Sequence, residues 1–134
     1  MMPLCRHEGI GVIPWSPLAR GLLARPRPAD SRVGSGGTAR SAVDAYSPRL
    51  YDAANDWDVV DAVEAAAKRL GISMAEVALA WLLGRPGVTA PIVGATKPEH
   101  LEAAIRAVDI TLSEDERTAL EASYRPHEVR GISP

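Results

Sequence analysis

Little in this sequence points outside the cell or toward a metal. It has one cysteine, Cys5, so no internal disulfide can form and a disulfide scaffold is excluded. Its histidines, His7, His100 and His127, lie too far apart for zinc-ligand spacing, and no metal is expected. No apolar run approaches the roughly 18 residues of a membrane span. The opening Met1-Met2-Pro3-Leu4-Cys5-Arg6 is too soon charged for a signal peptide, so the expected location is the cytoplasm. A formal charge of −2 and a pI near 5.9 provide no broad basic field, which argues against nucleic acid and against an anionic membrane as partners. No internal repeat is evident.

What is present is a chain of 134 residues, 46% of them hydrophobic, which suits one soluble domain with a modest core. Gly9-Ile10-Gly11-Val12-Ile13-Pro14 is a short apolar run with β-branched residues at its centre, bounded by glycine and proline, and reads as a buried strand. Thr89-Ala90-Pro91-Ile92-Val93-Gly94 reads the same way, with Pro91 as an irregularity because proline cannot donate to a sheet ladder. From Ala24 to about Asp56 the composition turns to Pro, Gly, Ser, Arg and Asp, as in a long flexible loop. Val59, Val63, Ala66, Ala67 and Leu70 then mark one face of a helix that Gly71 stops. Ser73 and Glu76 form a capping-box pattern for a second helix, along which Met74, Val77, Ala78, Trp81 and Leu82 recur at helical spacing until Pro86. Leu101, Ala104, Ile105 and Val108 mark a third, and Ser113 with Glu116 caps a last one through Leu120 and Tyr124. Trp57, Trp81 and Met74 fall on helical faces and read as packing residues. Two apolar strands separated by helices argue an α/β fold with a parallel βαβ unit, since parallel strands need a crossover long enough to return across the sheet. Such a pair leaves both edges open and cannot cover its own faces, so this reading expects further strands from elsewhere.

Three segments carry a resemblance. Trp15-Ser16-Pro17-Leu18-Ala19-Arg20-Gly21-Leu22-Leu23 resembles the seventh strand-to-loop segment of aldo-keto reductases, and Pro91-Ile92-Val93-Gly94-Ala95-Thr96-Lys97-Pro98-Glu99-His100-Leu101 resembles their eighth strand and the start of the following helix. Between them, Val77-Ala78-Leu79-Ala80-Trp81-Leu82-Leu83 is similar to the helix before that strand. The likeness runs from about Met2 to Val129 and is weakest between Pro26 and Asp56. It implies that residues 1–134 are the C-terminal part of a (β/α)8 TIM barrel, whose active sites sit at the C-terminal ends of the strands with phosphate sites near strands seven and eight.

The resemblance also implies NADPH as cofactor and a small carbonyl compound as substrate. Trp15 takes the place of an aromatic ring against the nicotinamide; Ser16, Pro17, Leu18 and Gly21 match the loop that meets the pyrophosphate. Thr96, Lys97 and His100 match positions at the adenosine 2′-phosphate and adenine end, and Arg40 matches an arginine that clamps the cofactor from the long loop. Gly94 lets backbone approach an anion, and the helix starting near Pro98 offers its N-terminal dipole to a phosphate. The plainer alternatives stand beside these: a core tryptophan, a Pro/Gly turn, helix capping and solvated charge. Where many family members carry Glu-Asn at the adenine edge, this sequence has Ala103-Ala104. The family's catalytic tyrosine, lysine, aspartate and histidine come from earlier strands. Here the lysines are Lys68 and Lys97, and Tyr46, Tyr51 and Tyr124 match no catalytic motif, so no catalytic residue is carried over. The expected function is therefore that of a reductase fragment needing self-association or a complementing N-terminal half. Two alternatives from other classes are a non-catalytic NADPH-binding regulatory module and a helical adaptor.

Overall fold

The computed structural model describes residues 1–27, 50–51 and 54–126. Their helices are α1 (Met2–His7), α2 (Ala54–Leu70), α3 (Met74–Leu83), α4 (Pro98–Arg106) and α5 (Glu114–Glu121). Short 3-10 stretches occupy Ala19–Ala24 and Ala107–Asp109. The middle helix organises the rest. α3 is apolar around most of its circumference, and Met74, Glu76, Val77, Ala78, Leu79 and Ala80 are all buried, as a helix without a polar face must be. It packs against α2, α4 and both 3-10 stretches, while α5 lies on α2.

The core follows from the spacing of apolar residues on α2. Trp57, Val60, Val63, Ala66 and Ala67 face Met74, Val77 and Ala80 of α3, with Leu112 and Leu120 closing the far side. Fully burying a valine or leucine of this kind contributes about 1.5–3 kcal/mol before entropy is set against it. Gly71 ends α2 as expected: its φ of +68° admits the left-handed turn, and the Ile72 amide reaches back to the Ala67 carbonyl at 3.1 Å. Both capping boxes form. The Glu76 amide donates to Ser73 Oγ and the Glu116 amide to Ser113 Oγ, each serine amide being bonded in return by its glutamate. At the far end of α3, Trp81 Nε1 and Arg85 Nη1 both donate to Glu121 Oε1, at 3.0 and 2.6 Å, which fastens α5 to α3.

Among the described residues neither expected strand forms as such; the two segments run parallel and touch at single points. Among the described residues they meet only through isolated bridges, Val12 with Val88 and Trp15 with Ile92, supported by Thr89 N–H to Val12 O at 2.8 Å and Ile92 N–H to Pro14 O at 2.9 Å. Three steps on one segment match four on the other, so an extra residue is taken up between Val88 and Ile92, where Pro91 has no N–H to offer. Nor are these segments buried: Ile10, Ile13, Trp15 and Ile92 are all more than half exposed, because no described element covers that face. Other expectations are also corrected. The composition implies a long loop from Ala24 to about Asp56, yet Ala24 closes a 3-10 stretch and α2 already begins at Ala54; residues 28–49 and 52–53 lie outside the described residues. On α4 the buried residue is Ala103, followed by Ala107, and the apolar Leu101, Ile105 and Val108 face outward. α5 stops at Glu121, so Tyr124 lies beyond it and is exposed.

One contact fixes how closely the paired segments approach. A Cβ added to Gly11 would stand 2.7 Å from Thr89 Oγ1, closer than side-chain atoms sit. Gly11→Ala is therefore expected to destabilise the chain by about 1 kcal/mol, a typical cost of mild overpacking. Urea denaturation checks this, with Thr89→Ala in the same chain expected to restore most of the loss; an unrescued or absent effect would rule out the contact as its cause.

Candidate functional site

The candidate residues lie on the two paired segments and their exits. Trp15 ends the first segment at its bridge with Ile92 and is 70% exposed, so its indole is not the core tryptophan the plainer reading supposed. Immediately after it the backbone enters an unusual shape. Ser16, Ala19 and Arg20 have φ of 55°, 48° and 57°, and Gly21 has 97°. Left-handed backbone is uncommon for residues with a Cβ and recurs where chains are shaped around ligands. Within this arc, Ala19 N–H donates to Ser16 O and Gly21 N–H to Leu18 O. Pro17 and Leu18 lie inside it and are half-buried.

From Ile92 the second segment continues to Gly94, which is exposed and has nothing within 4 Å of the place a Cβ would take, leaving its backbone open to a close approach. Thr96, Lys97 and His100 follow and are all exposed. Lys97 is the N-cap of α4, with no side-chain hydrogen bond at the cap, and Pro98 occupies the first turn. Its ammonium is within 4.0 Å of the Glu99 carboxylate, a long contact that water screens. Since Lys97 is five residues past Ile92, its backbone is at most about 18 Å from that residue. The parallel pairing thus sends both segments out at the same end of the pair. Arg40 lies outside the described residues, as do Tyr46 and His127.

A residue that sequence reasoning passed over lies beside the arc. Arg25 is extended, with φ −157° and ψ 156°, and its Nη2 lies 3.3 Å from where a Cβ on Gly21 would be. The only signal was an arginine four residues after a glycine, which many loops contain. An open groove of about 470 Å³ beside Ala24, Pro26, Lys68 and Met74 contains none of the candidate residues.

Residues 1–125 match the model of the aldo/keto reductase family. The chain belongs to that family. It is similar to the versiconal hemiacetal acetate reductase of Aspergillus parasiticus, 38% identical over 132 residues that make up 96% of this chain and 36% of that protein. An aldo-keto reductase of Fusarium vanettenii is 40% identical over an alignment of 135 positions that covers 99% of this chain and 34% of the relative. Among solved structures, the thermostable aldo-keto reductase Tm1743, crystallised with the inhibitor epalrestat, overlays with a TM-score of 0.60 at 26% identity, covering 92% of this chain and 33% of that one. Aldo-keto reductases are (β/α)8-barrel oxidoreductases, and this chain spans about a third of the length of the relatives it matches. Among its described residues no helix is long and apolar enough to cross a membrane.

Proposed function

We propose that this chain is the C-terminal, cofactor-binding part of an NADPH-dependent aldo-keto reductase of the cytoplasm that reduces a small aldehyde or ketone. The observation that carries the reading is the parallel bridge of Trp15 with Ile92, which sets side by side the two segments that would hold opposite ends of one dinucleotide. The residues present suit such a ligand. Trp15 offers an exposed ring to the nicotinamide, and the arc through Ser16, Pro17, Leu18 and Gly21 shapes backbone around the pyrophosphate. Gly94 gives room, and Thr96, Lys97 and His100 at the start of α4 meet the 2′-phosphate with charge, hydrogen-bond donors and a helix dipole. Arg40 belongs to the same proposal on sequence grounds. When bound, NADPH supplies hydride to the carbonyl carbon; the chain's own task is to fix and orient the cofactor, with proton donation coming from residues of the earlier strands.

The exposed apolar surfaces support the view that a larger barrel completes this part. Ile13 and Ile92 on the paired segments, and Leu101, Ile105 and Val108 at α4 and just beyond it, are more than half exposed where a complementing half or a second copy would cover them. Titration with NADPH, followed by tryptophan fluorescence, is expected to give saturable quenching with weaker quenching by NADH. In the same preparation, NADPH oxidation with a panel of aldehydes is expected to be absent. A fluorescence trace unresponsive to NADPH removes the cofactor reading, and carbonyl-dependent turnover would show that catalytic residues are present after all.

A further inference from the structure

The arc after Trp15 is bent against the preferences of its residues, and something must hold it. Three non-glycine residues with positive φ, at positions 16, 19 and 20, lie within five residues of one another. The entrance is fixed by the Trp15 bridge with Ile92, and the middle by Leu22 and Leu23, which pack on the core. At the exit stands Arg27. Its guanidinium lies over the ring of Trp57, 5.5 Å from the centroid, and its Nη1 is 3.4 Å from Asp61 Oδ2. Trp57 is 7% exposed and part of the core, so this arginine is docked on a rigid surface. Trp57 and Asp61 are one helical turn apart on α2 and present the ring and the carboxylate side by side. A planar guanidinium can stack on the one while bonding the other; a lysine ammonium keeps the charge pairing but loses the stacked plane.

We infer that Arg27 is a positioning residue for the cofactor loop, acting by pinning the exit of the Ser16–Arg25 arc to Trp57 and Asp61 of α2. This rests on the cofactor-site reading above. With the exit pinned, Arg25 is held extended and its guanidinium returns over Gly21, beside the backbone proposed to meet the pyrophosphate. Released, Arg25 is no longer held extended over Gly21, and the backbone its guanidinium covers there no longer presents one shape. The pin sits at the protein surface, with Arg27 and Asp61 side chains 37% and 49% exposed, so its loss is felt locally and not by the core.

The test uses the full chain with Arg27→Ala, Arg27→Lys and Asp61→Asn. Amide hydrogen exchange without ligand is expected to quicken in Arg27→Ala across residues 16–25 while α3 and α5 keep wild-type protection. The Kd for NADPH is expected to rise about five- to tenfold in Arg27→Ala, the scale of one cation–π contact with an exposed ion pair, and by less in Arg27→Lys and Asp61→Asn. Unchanged exchange in the arc, or faster exchange throughout the chain, overturns the inference. A wild-type chain that does not respond to NADPH defeats the cofactor reading, whereas a responding wild type with an equally responsive Arg27→Ala defeats the pin alone.

Discussion

Replacing Lys97 with alanine is expected to raise the Kd for NADPH by roughly ten- to a hundredfold, the usual worth of a hydrogen bond to a charged group, while changing that for NADH by less than about threefold. Lys97 is the N-cap of α4 and its ammonium makes only a long, solvent-screened contact with Glu99, so it can reach a phosphate placed at that helix entrance. At 65% side-chain exposure it is screened by water, which puts the expected value toward the lower end of the range. NADH lacks the 2′-phosphate, and the substitution has little there to remove. Lys97→Arg should retain most of the affinity, because a guanidinium can also meet phosphate. Glu99 supplies an internal comparison: its carboxylate lies 4.0 Å from the ammonium and would stand near the incoming anion, so Glu99→Gln is expected to tighten NADPH slightly. Equal losses of both cofactors in Lys97→Ala would move the 2′-phosphate elsewhere.

How far the site could be read from the sequence depends on which interactions are local. The two capping boxes, Ser73 with Glu76 and Ser113 with Glu116, need only residues three apart, and both form as the pattern implied. The apolar faces of α2 and α3 were legible in part: Val63, Ala66, Ala67, Met74, Val77 and Ala78 are buried as their spacing implied, but Val60 and not Val59 is the buried valine near the start of α2, and Leu79 and Ala80 are buried while Trp81 and Leu82 are only half-buried. α4 shows where such reasoning stops. Leu101, Ile105 and Val108 have the spacing of a core face, but which face packs is decided by what lies opposite, and α3 accepts the small Ala103 side instead. The register of the paired segments was out of reach for a similar reason. Pro91 announced an irregularity, yet the extra residue it accompanies appears only when Val88 and Ile92 are set against Val12 and Trp15. The left-handed arc was hidden more thoroughly: Pro17 and Gly21 signal a turn, but nothing in the identities of Ala19 or Arg20 requires positive φ.

Glu76 carries the other large expectation, and it concerns acid stability. Its side chain is 6% exposed, accepting from the Ser73 amide at 2.7 Å, the Ser73 hydroxyl at 2.5 Å and Arg106 Nε at 2.6 Å. Burial by itself would raise the carboxyl pKa; the Ser73 hydroxyl, the Arg106 guanidinium and the Ser73 amide outweigh it and hold the group below the ordinary glutamate value of 4.5. A folded pKa below the unfolded one means that folding favours the ionised form. Its contribution is therefore fully present at neutral pH and disappears as the pH falls from about 4.5 through the folded value. Glu76→Ala is expected to lose about 2 kcal/mol at pH 7, combining a helix cap with hydrogen bonds to a charged group and discounted because Arg106 is more than half exposed. The loss should shrink as the pH falls below 4.5 and the carboxyl takes up its proton. Glu76→Gln should unfold with a flatter dependence on pH below 4.5, retaining the slope due to Glu114 and Glu116, whose carboxyls are also lowered, by Arg117 and by the Ser113 amide respectively. Urea melts at intervals from pH 3 to pH 7 distinguish the cases: acid limbs of equal slope for wild type and Glu76→Gln would show that this carboxylate is not the group whose protonation loosens α3 from α4.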